Sequence, residues 1–208
     1  MIRIITVERE YGAGGGVVAA KVAEGLGWML WDQRLTDEIA RRLDCDSRTV
    51  ADREERRDPV HYRLFKAFLR GTFEGNLNAP PLRPVDADCV RDVTQQVVTE
   101  AAETGDCVIV GRGSAYYLGS RADAFHVFVY APFEDKVRRL VSIGKSREEA
   151  TELAQTVDRD RAAFIERNFH VEWPARHRFH LMVNDGMGEE VAVQTILDAM
   201  ARFGERRT

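Results

Sequence analysis

Apolar residues cluster in five short runs that are separated by longer segments of mixed polarity. The runs cover residues 2–7, 28–31, 107–110, 124–130 and 179–183. Most of them are continuous rather than alternating, which is typical of strands buried on both faces of a parallel sheet. The pattern therefore predicts five parallel β-strands.

The segments between these runs repeat apolar residues every three or four positions, which is the period of an amphipathic helix. They cover residues 17–26, 90–103, 133–142, 147–168 and 189–203. The alternation of strands and helices predicts a doubly wound α/β fold with right-handed crossovers, in a single domain over residues 1–208.

One segment interrupts this alternation. Residues 36–88 are charged and mostly helical in pattern, and they end in a loop that contains Pro80, Pro81 and Pro84. Since this length exceeds that of a simple crossover, we expect a helical insert over one edge of the sheet. Further along, Gly144 and Lys145 join two charged helices, which predicts a lid at about residues 143–172.

Composition excludes several classes of protein. The chain has 208 residues, a formal net charge of -4 and a pI of about 5.8, so charge alone does not favour binding to a nucleic acid polymer. Three scattered cysteines and three histidines in residues 170–180 match no metal or disulfide motif, and we expect no protein-held metal. With no signal peptide or membrane-spanning run, we expect a cytoplasmic protein. The oligomeric state is left open, a homodimer included.

A glycine-rich segment follows the first predicted strand and precedes the first helix. It contains Gly12, Ala13, Gly14, Gly15 and Gly16. Backbone N–H groups of such a turn, together with a helix N-terminus, form a site that suits phosphate. In the standard phosphate loop a lysine stands at the position of Gly15 and a hydroxyl residue at that of Gly16. Arg9, or an arginine from elsewhere, has to supply the missing charge.

Two other interpretations of the loop stay open on these residues alone. Gly14-x-Gly16-x-x-Ala19 matches a dinucleotide fingerprint, and Asp32 lies near the expected distance, which indicates an NAD(P)-dependent oxidoreductase. Against it, residues 8–11 separate the first strand from the glycines. The other interpretation is a plain turn that binds nothing, although so many glycines are costly in backbone entropy.

Charged residues follow two other predicted strands. Arg112 lies between Gly111 and Gly113 directly after residues 107–110, where ligands of open α/β sheets bind, and its fork fits a phosphate. The alternative is a surface arginine that caps a turn. Asp32 and Arg34 follow the second strand. Asp32 could orient a sugar or a Mg²⁺-bound water, or it could cap the next helix.

Five arginines form the basic side of the two helices that flank Gly144. They are Arg138, Arg139, Arg159, Arg161 and Arg167. Closure of a lid would bring guanidinium groups onto a transferring phosphoryl group, stabilise its charge and exclude water. Alternatively, these arginines pair with the many acidic residues of the same helices on a solvated face.

The chain resembles the cytidylate kinase-like family, which is related to the nucleoside monophosphate kinases. The resemblance rests on segments 9–15, 31–35, 107–113, 127–132 and 160–162, which read REYGAGG, WDQRL, CVIVGRG, VFVYAP and DRA. It implies a P-loop NTPase fold with a five-stranded parallel sheet flanked by helices, a helical acceptor-binding insert and a lid. It also implies transfer of the γ-phosphoryl group of ATP, with Mg²⁺, to a nucleoside monophosphate or a similar small phosphorylated acceptor.

The resemblance also implies roles for individual residues. It places Arg112 on the acceptor phosphate and favours Arg159 and Arg161 among the lid arginines. Together with the loop and strand-end residues above, we expect Arg9, Arg159 and Arg161 in catalysis, residues 12–16 at the ATP phosphates, and Asp32, Arg34 and Arg112 at the acceptor. Members of the family usually lack the loop lysine, but they often carry an arginine and a glutamate where this chain has Gly16 and Val17. Gly113 replaces an aspartate of the cytidylate kinases proper. These departures favour an alternative, a nucleotide-binding regulatory protein with impaired catalysis.

Overall fold

The chain forms a five-stranded sheet with helices on both faces. This computed structural model describes residues 1–50 and 87–206. The strands are β1 (Ile4–Arg9), β2 (Met29–Trp31), β3 (Cys107–Val110), β4 (Ala124–Tyr130) and β5 (Leu181–Asn184). The helices of the described residues are α1 (Gly15–Leu26), α2 (Gln33–Val50), α3 (Ala87–Glu103), α4 (Ser114–Tyr117), α5 (Phe133–Ser142), α6 (Arg147–Phe169) and α7 (Glu189–Glu205). Short 3₁₀ turns lie at Arg176–Arg178 and Asp185–Met187.

The strand order is β2-β3-β1-β4-β5, and every neighbouring pair is parallel. A dinucleotide-binding sheet has the order 3-2-1-4-5-6, in which the first strand is paired with the second. Here β3 separates β1 from β2, so the strand order does not favour the dinucleotide interpretation of the glycine segment. The order also brings the carboxyl ends of β1 and β3 together at one edge, where the glycine segment and Arg112 begin.

Two apolar layers hold the sheet between its helices. Alternate residues of each central strand face opposite sides, as Ile4 and Ile5 do in β1. The layer around Ile4 packs against α2, α3, α4 and the last turns of α6, whereas the layer around Ile5 packs against α1 and α7. Within the described residues, no helix combines the length and apolar character needed to cross a membrane.

The strands predicted over residues 107–110 and 124–130 and the helix predicted over 133–142 are confirmed at both ends. The first strand differs, because it continues two residues beyond Val7. Glu8 and Arg9 pair with Phe128 and Val129 of β4, and this pairing outweighs their polarity. The helix of the expected insert begins at Gln33, and residues 51–86 of that insert lie outside the described residues.

A buried histidine, His126, which stacks on the exposed His180, makes the stability of this fold depend on pH. His126 of β4 lies 2.8 Å from the Thr6 hydroxyl and stacks on His180 at 5.1 Å. Burial, and then the neighbouring His180, lowers the pKa of His126 to about 4. In the unfolded chain the pKa of a histidine is about 6.5.

We therefore expect the free energy of unfolding to decrease as the pH falls from about 6.5 to about 4, by up to ~1.4 kcal/mol per pH unit, because only the unfolded chain then binds the proton. The stabilisation that comes from keeping His126 neutral is fully present above pH ~6.5. Urea denaturation across this range measures it. His126→Gln should flatten the slope, whereas His177→Gln, at an exposed position, should leave it unchanged. An equal slope in all three proteins would contradict the assignment.

Candidate functional site

The glycine segment is a short loop that connects β1 to α1. Gly12 and Gly14 have φ angles of +80° and +75°, a left-handed conformation that glycine adopts without steric cost. Gly14 caps α1 and offers its first N–H groups no side-chain acceptor. The first N–H groups of an α-helix have no acceptor within the helix, and the positive end of the helix dipole lies at the same terminus, next to the loop. This geometry suits an anion.

Tyr11 fastens this loop to the helix pair α5 and α6. Its side chain is buried among apolar residues of both helices, which are Val137, Leu140, Ala150, Ala154 and Val157. Its backbone N–H donates a hydrogen bond to Asp158 Oδ1 of α6 at 2.7 Å. The helix pair that the sequence predicts as a lid is therefore packed directly on the loop.

Charged side chains extend this attachment. The Lys136 ammonium of α5 lies 3.1 Å from a carboxylate oxygen of Glu10 and 3.1 Å from one of Asp158. Arg161 of α6 donates to the Arg9 carbonyl oxygen at 2.8 Å and lies 3.3 Å from Asp158. Lys136 and Asp158 are not among the site residues that the sequence predicts. The signal for Lys136 was its place in the first turns of the helix that follows β4.

Neighbouring arginines of α5 point in different directions. Arg139 lies at Gly14 and forms an ion pair with Asp185, whose side chain is fully buried after β5. Arg138 is 70% exposed and pairs with Asp135 of its own helix. The structure therefore brings Arg139, and not Arg138, to the glycine loop.

The last two residues of β1 carry buried charges beneath the loop. Arg9 is buried, and a Cβ added to Gly15 would lie only 2.6 Å from the Arg9 Cβ. Its guanidinium extends to Gly111 after β3. Glu8 is also buried, and this desolvation raises the pKa of its carboxyl group against the opposing effect of Arg9, Arg161 and Arg112. The carboxyl edge of the sheet thus contains several ionic groups that are shielded from water.

Arg112 is fully enclosed rather than placed on the surface. It has a φ of +58°, and its guanidinium donates to the Val110 carbonyl oxygen at 3.2 Å and to the Thr36 hydroxyl. Asp32 Oδ1 lies 3.6 Å from it. Burial raises the pKa of Asp32 although Arg112 opposes this effect, and burial lowers the pKa of Arg112. The structure therefore brings together two of the predicted acceptor residues.

The third predicted acceptor residue lies apart from this pair. Arg34 is exposed, stacks over the Trp31 ring at 4.7 Å and donates to the Met29 sulfur at 3.2 Å. The neighbouring Asp32 directs its carboxylate towards Arg112. Asp32 therefore makes an ionic contact, whether or not it also caps α2. Arg34 follows the same strand end but contacts Trp31 and Met29 rather than Arg112.

The two predicted lid arginines also differ. Arg161 is buried against the loop, whereas Arg159 is exposed and its side chain makes no ion pair or hydrogen bond with another described residue. The end of α6 covers the Gly111–Gly113 turn, because a Cβ on Gly113 would lie 3.1 Å from the Phe169 ring. This close approach, with a φ of +69°, explains why a larger residue does not fit at position 113.

Within the part of the chain that the structure describes, protein side chains alone form no metal site beside these groups. In residues 1–50 and 87–206, no three histidine, cysteine, aspartate or glutamate side chains are grouped closely enough to hold a metal ion. The carboxylates of Glu10 and Asp158 both contact Lys136, and the carboxylate of Asp185, which lies beside Gly14, contacts Arg139.

Comparisons with known proteins agree with this geometry. The profile of the cytidylate kinase-like family matches residues 4–186. An uncharacterized protein from Eubacterium ventriosum ATCC 27560 superposes with a TM-score of 0.68 at 18% identity, over 97% of this chain and 99% of that one. Shikimate kinase from Bacteroides thetaiotaomicron gives a TM-score of 0.54 at 16% identity, over 97% and 99% of the two chains.

Shikimate kinase from Acinetobacter baumannii, in complex with shikimate, gives a TM-score of 0.51 at 17% identity, over 97% of this chain and 94% of that one. No curated protein matches the sequence significantly. At these identities the structural similarity establishes the fold alone, which is that of the P-loop kinases.

Crowding around Gly14 generates a prediction about stability. We compare Gly14→Ala with Gly27→Ala, which has a similar φ of +65° but nothing within 4 Å of an added Cβ. Both variants should lose about 1–2 kcal/mol from the left-handed backbone. Gly14→Ala should lose about 1–3 kcal/mol more, because the new methyl group displaces Arg139 from the buried Asp185 carboxylate. Urea denaturation measures both values, and equal losses would contradict the described contact.

Proposed function

Because this chain belongs to the cytidylate kinase-like family, we propose that it transfers the γ-phosphoryl group of ATP to a nucleoside monophosphate or a similar small phosphorylated acceptor. The observation that carries the proposal is the glycine loop between β1 and α1, at the carboxyl edge of a P-loop kinase sheet. A family match over residues 4–186 supports it. Positioning and charge stabilisation account for most of the catalysis in this chemistry.

In this proposal the ATP phosphates bind to residues 12–16 at the start of α1. The left-handed glycines and the first N–H groups of the helix, which have no acceptor within the helix, support this role. Arg9 and Arg161 act from below and beside the loop. Since Arg161 binds the Arg9 carbonyl oxygen, it holds the loop in shape as well as adding charge.

The acceptor phosphate binds near Arg112 and Asp32 in this proposal. Arg112 supplies a guanidinium that is already oriented by Val110 and Thr36. Because the side chain is fully enclosed and Phe169 covers the adjacent turn, entry of the acceptor requires the end of α6 to move. Arg34 is directed elsewhere in the structure and would have to turn inward to contribute.

Mg²⁺ would enter together with ATP. This ion usually keeps several waters and is held by phosphate oxygens and one or two carboxylates. Glu10 and Asp158 are two of the carboxylates beside the loop, and they could receive its coordinated waters. The ion would neutralise part of the charge that develops on the transferred group.

The activity test is direct. Purified protein with ATP, Mg²⁺ and a panel of nucleoside monophosphates, including cytidylate, should form ADP in the presence of a preferred acceptor. Binding of ATP without turnover on any acceptor would refute the kinase and support the regulatory alternative. In that case binding should also be independent of Mg²⁺, which a titration with and without the metal measures.

Arg159 provides a second test of the reaction. Because its side chain is exposed and makes no ion pair with the other described residues, Arg159→Ala should change the free energy of unfolding by less than about 0.5 kcal/mol. If Arg159 closes over the transferred phosphoryl group, kcat should fall about 100-fold or more while the KM for ATP changes little. Arg147→Ala at the exposed start of α6 is the control. Equal kcat values in both variants would remove Arg159 from catalysis.

A further inference from the structure

Two cationic side chains of α5, Lys136 and Arg139, lie beside the glycine loop. A Cβ on Gly12 would lie 3.0 Å from the Lys136 Cβ, whereas a Cβ on Gly14 would overlap the guanidinium of Arg139. Since residues three apart share a helix face, Lys136 follows the first half of the loop and Arg139 the second half. Arg139 is therefore the one next to Gly15, the position at which a standard phosphate loop has its lysine.

These two cations are neutralised differently. Lys136 is buried and has two carboxylates at 3.1 Å, one of them from Glu10 of the loop itself. Arg139 is 30% exposed, and its Nη2 atom binds the fully buried Asp185. Its Nη1 atom lies nearest to Gly14, and the closest Glu189 oxygen is 4.0 Å away, beyond hydrogen-bonding distance. One edge of the guanidinium is thus anchored, and the other is directed at the start of α1.

The anchor is itself held in place by its turn. Asp185 opens a 3₁₀ turn in which the Gly188 N–H donates to the Asp185 carbonyl oxygen at 2.9 Å. The Asn184 side chain accepts a hydrogen bond from the Gly186 N–H at 3.0 Å. Because this turn fixes the backbone of Asp185, its carboxylate can orient Arg139 instead of moving away with it.

We propose that Arg139 supplies the positive charge that the glycine loop lacks, and that it binds the polyphosphate oxygens of a nucleotide at the start of α1. Asp185 is the positioning residue for its guanidinium. The inference rests on the proposed function, since its ligand is a nucleotide with two or more phosphates. A guanidinium can donate hydrogen bonds to two phosphate oxygens at once, and the first N–H groups of α1 can bind the same phosphate from the other side. Lys136 does not fill this role, because Glu10 and Asp158 already engage its ammonium.

The test measures the affinity for AMP, ADP and ATP by calorimetry in four proteins. These are the wild type, Arg139→Ala, Arg139→Lys and the control Arg138→Ala, whose side chain is exposed and pairs only within its own helix turn. We expect Arg139→Ala to weaken ATP and ADP binding about 10- to 100-fold and AMP binding less than about twofold, because one charged hydrogen-bonding group is lost from the phosphate chain. Arg139→Lys should restore part of the loss, and Arg138→Ala should bind like the wild type.

The dependence on phosphate number separates this role from a structural one. Equal weakening for all three nucleotides, or wild-type binding of ATP by Arg139→Ala, would overturn the inference. Wild-type protein that binds ATP but phosphorylates no acceptor would refute the proposed kinase, while the contrast between ATP and AMP would still decide the role of Arg139. A wild-type protein that binds none of the nucleotides would overturn both.

Discussion

Charge balance at the carboxyl edge of the sheet is the constraint on which the rest of the structure depends. Arg112 is enclosed beside Asp32, and Lys136 is buried between Glu10 and Asp158. A buried charge that loses its partner is far more costly than the pair itself. The groups that could bind phosphate are thus held in place by carboxylates of the same chain.

This balance also explains how a loop so poor in charge can serve a phosphate site. Residues 12–16 contribute only backbone, and the cations arrive from α5 and α6, which pack on Tyr11. Asp158 connects the loop to both helices, because it accepts a hydrogen bond from the Tyr11 N–H and contacts Lys136 of α5 and Arg161 of α6. A displacement of α5 or α6 should therefore also displace the loop.

The sequence predicted the sheet and most helices, because buried strands and amphipathic helices leave local patterns. It failed where contacts between distant segments decide the outcome. Glu8 and Arg9 look like loop residues, yet they extend β1 because β4 offers them hydrogen bonds. Arg34 and Arg112 look equivalent, yet only one lies beside Asp32. Only packing reveals that Arg139 reaches the loop whereas its neighbour Arg138 does not.

If residues outside the loop, above all Arg139, replace the missing lysine, a crystal structure of the protein with a non-hydrolysable ATP analogue and Mg²⁺ should show it. We expect the β- and γ-phosphates on the N–H groups of residues 12–16, with the Arg139 guanidinium within hydrogen-bonding distance and Asp185 still at its other edge. Phosphates bound away from α1, or Arg139 turned to solvent beside a loop-bound nucleotide, would contradict it.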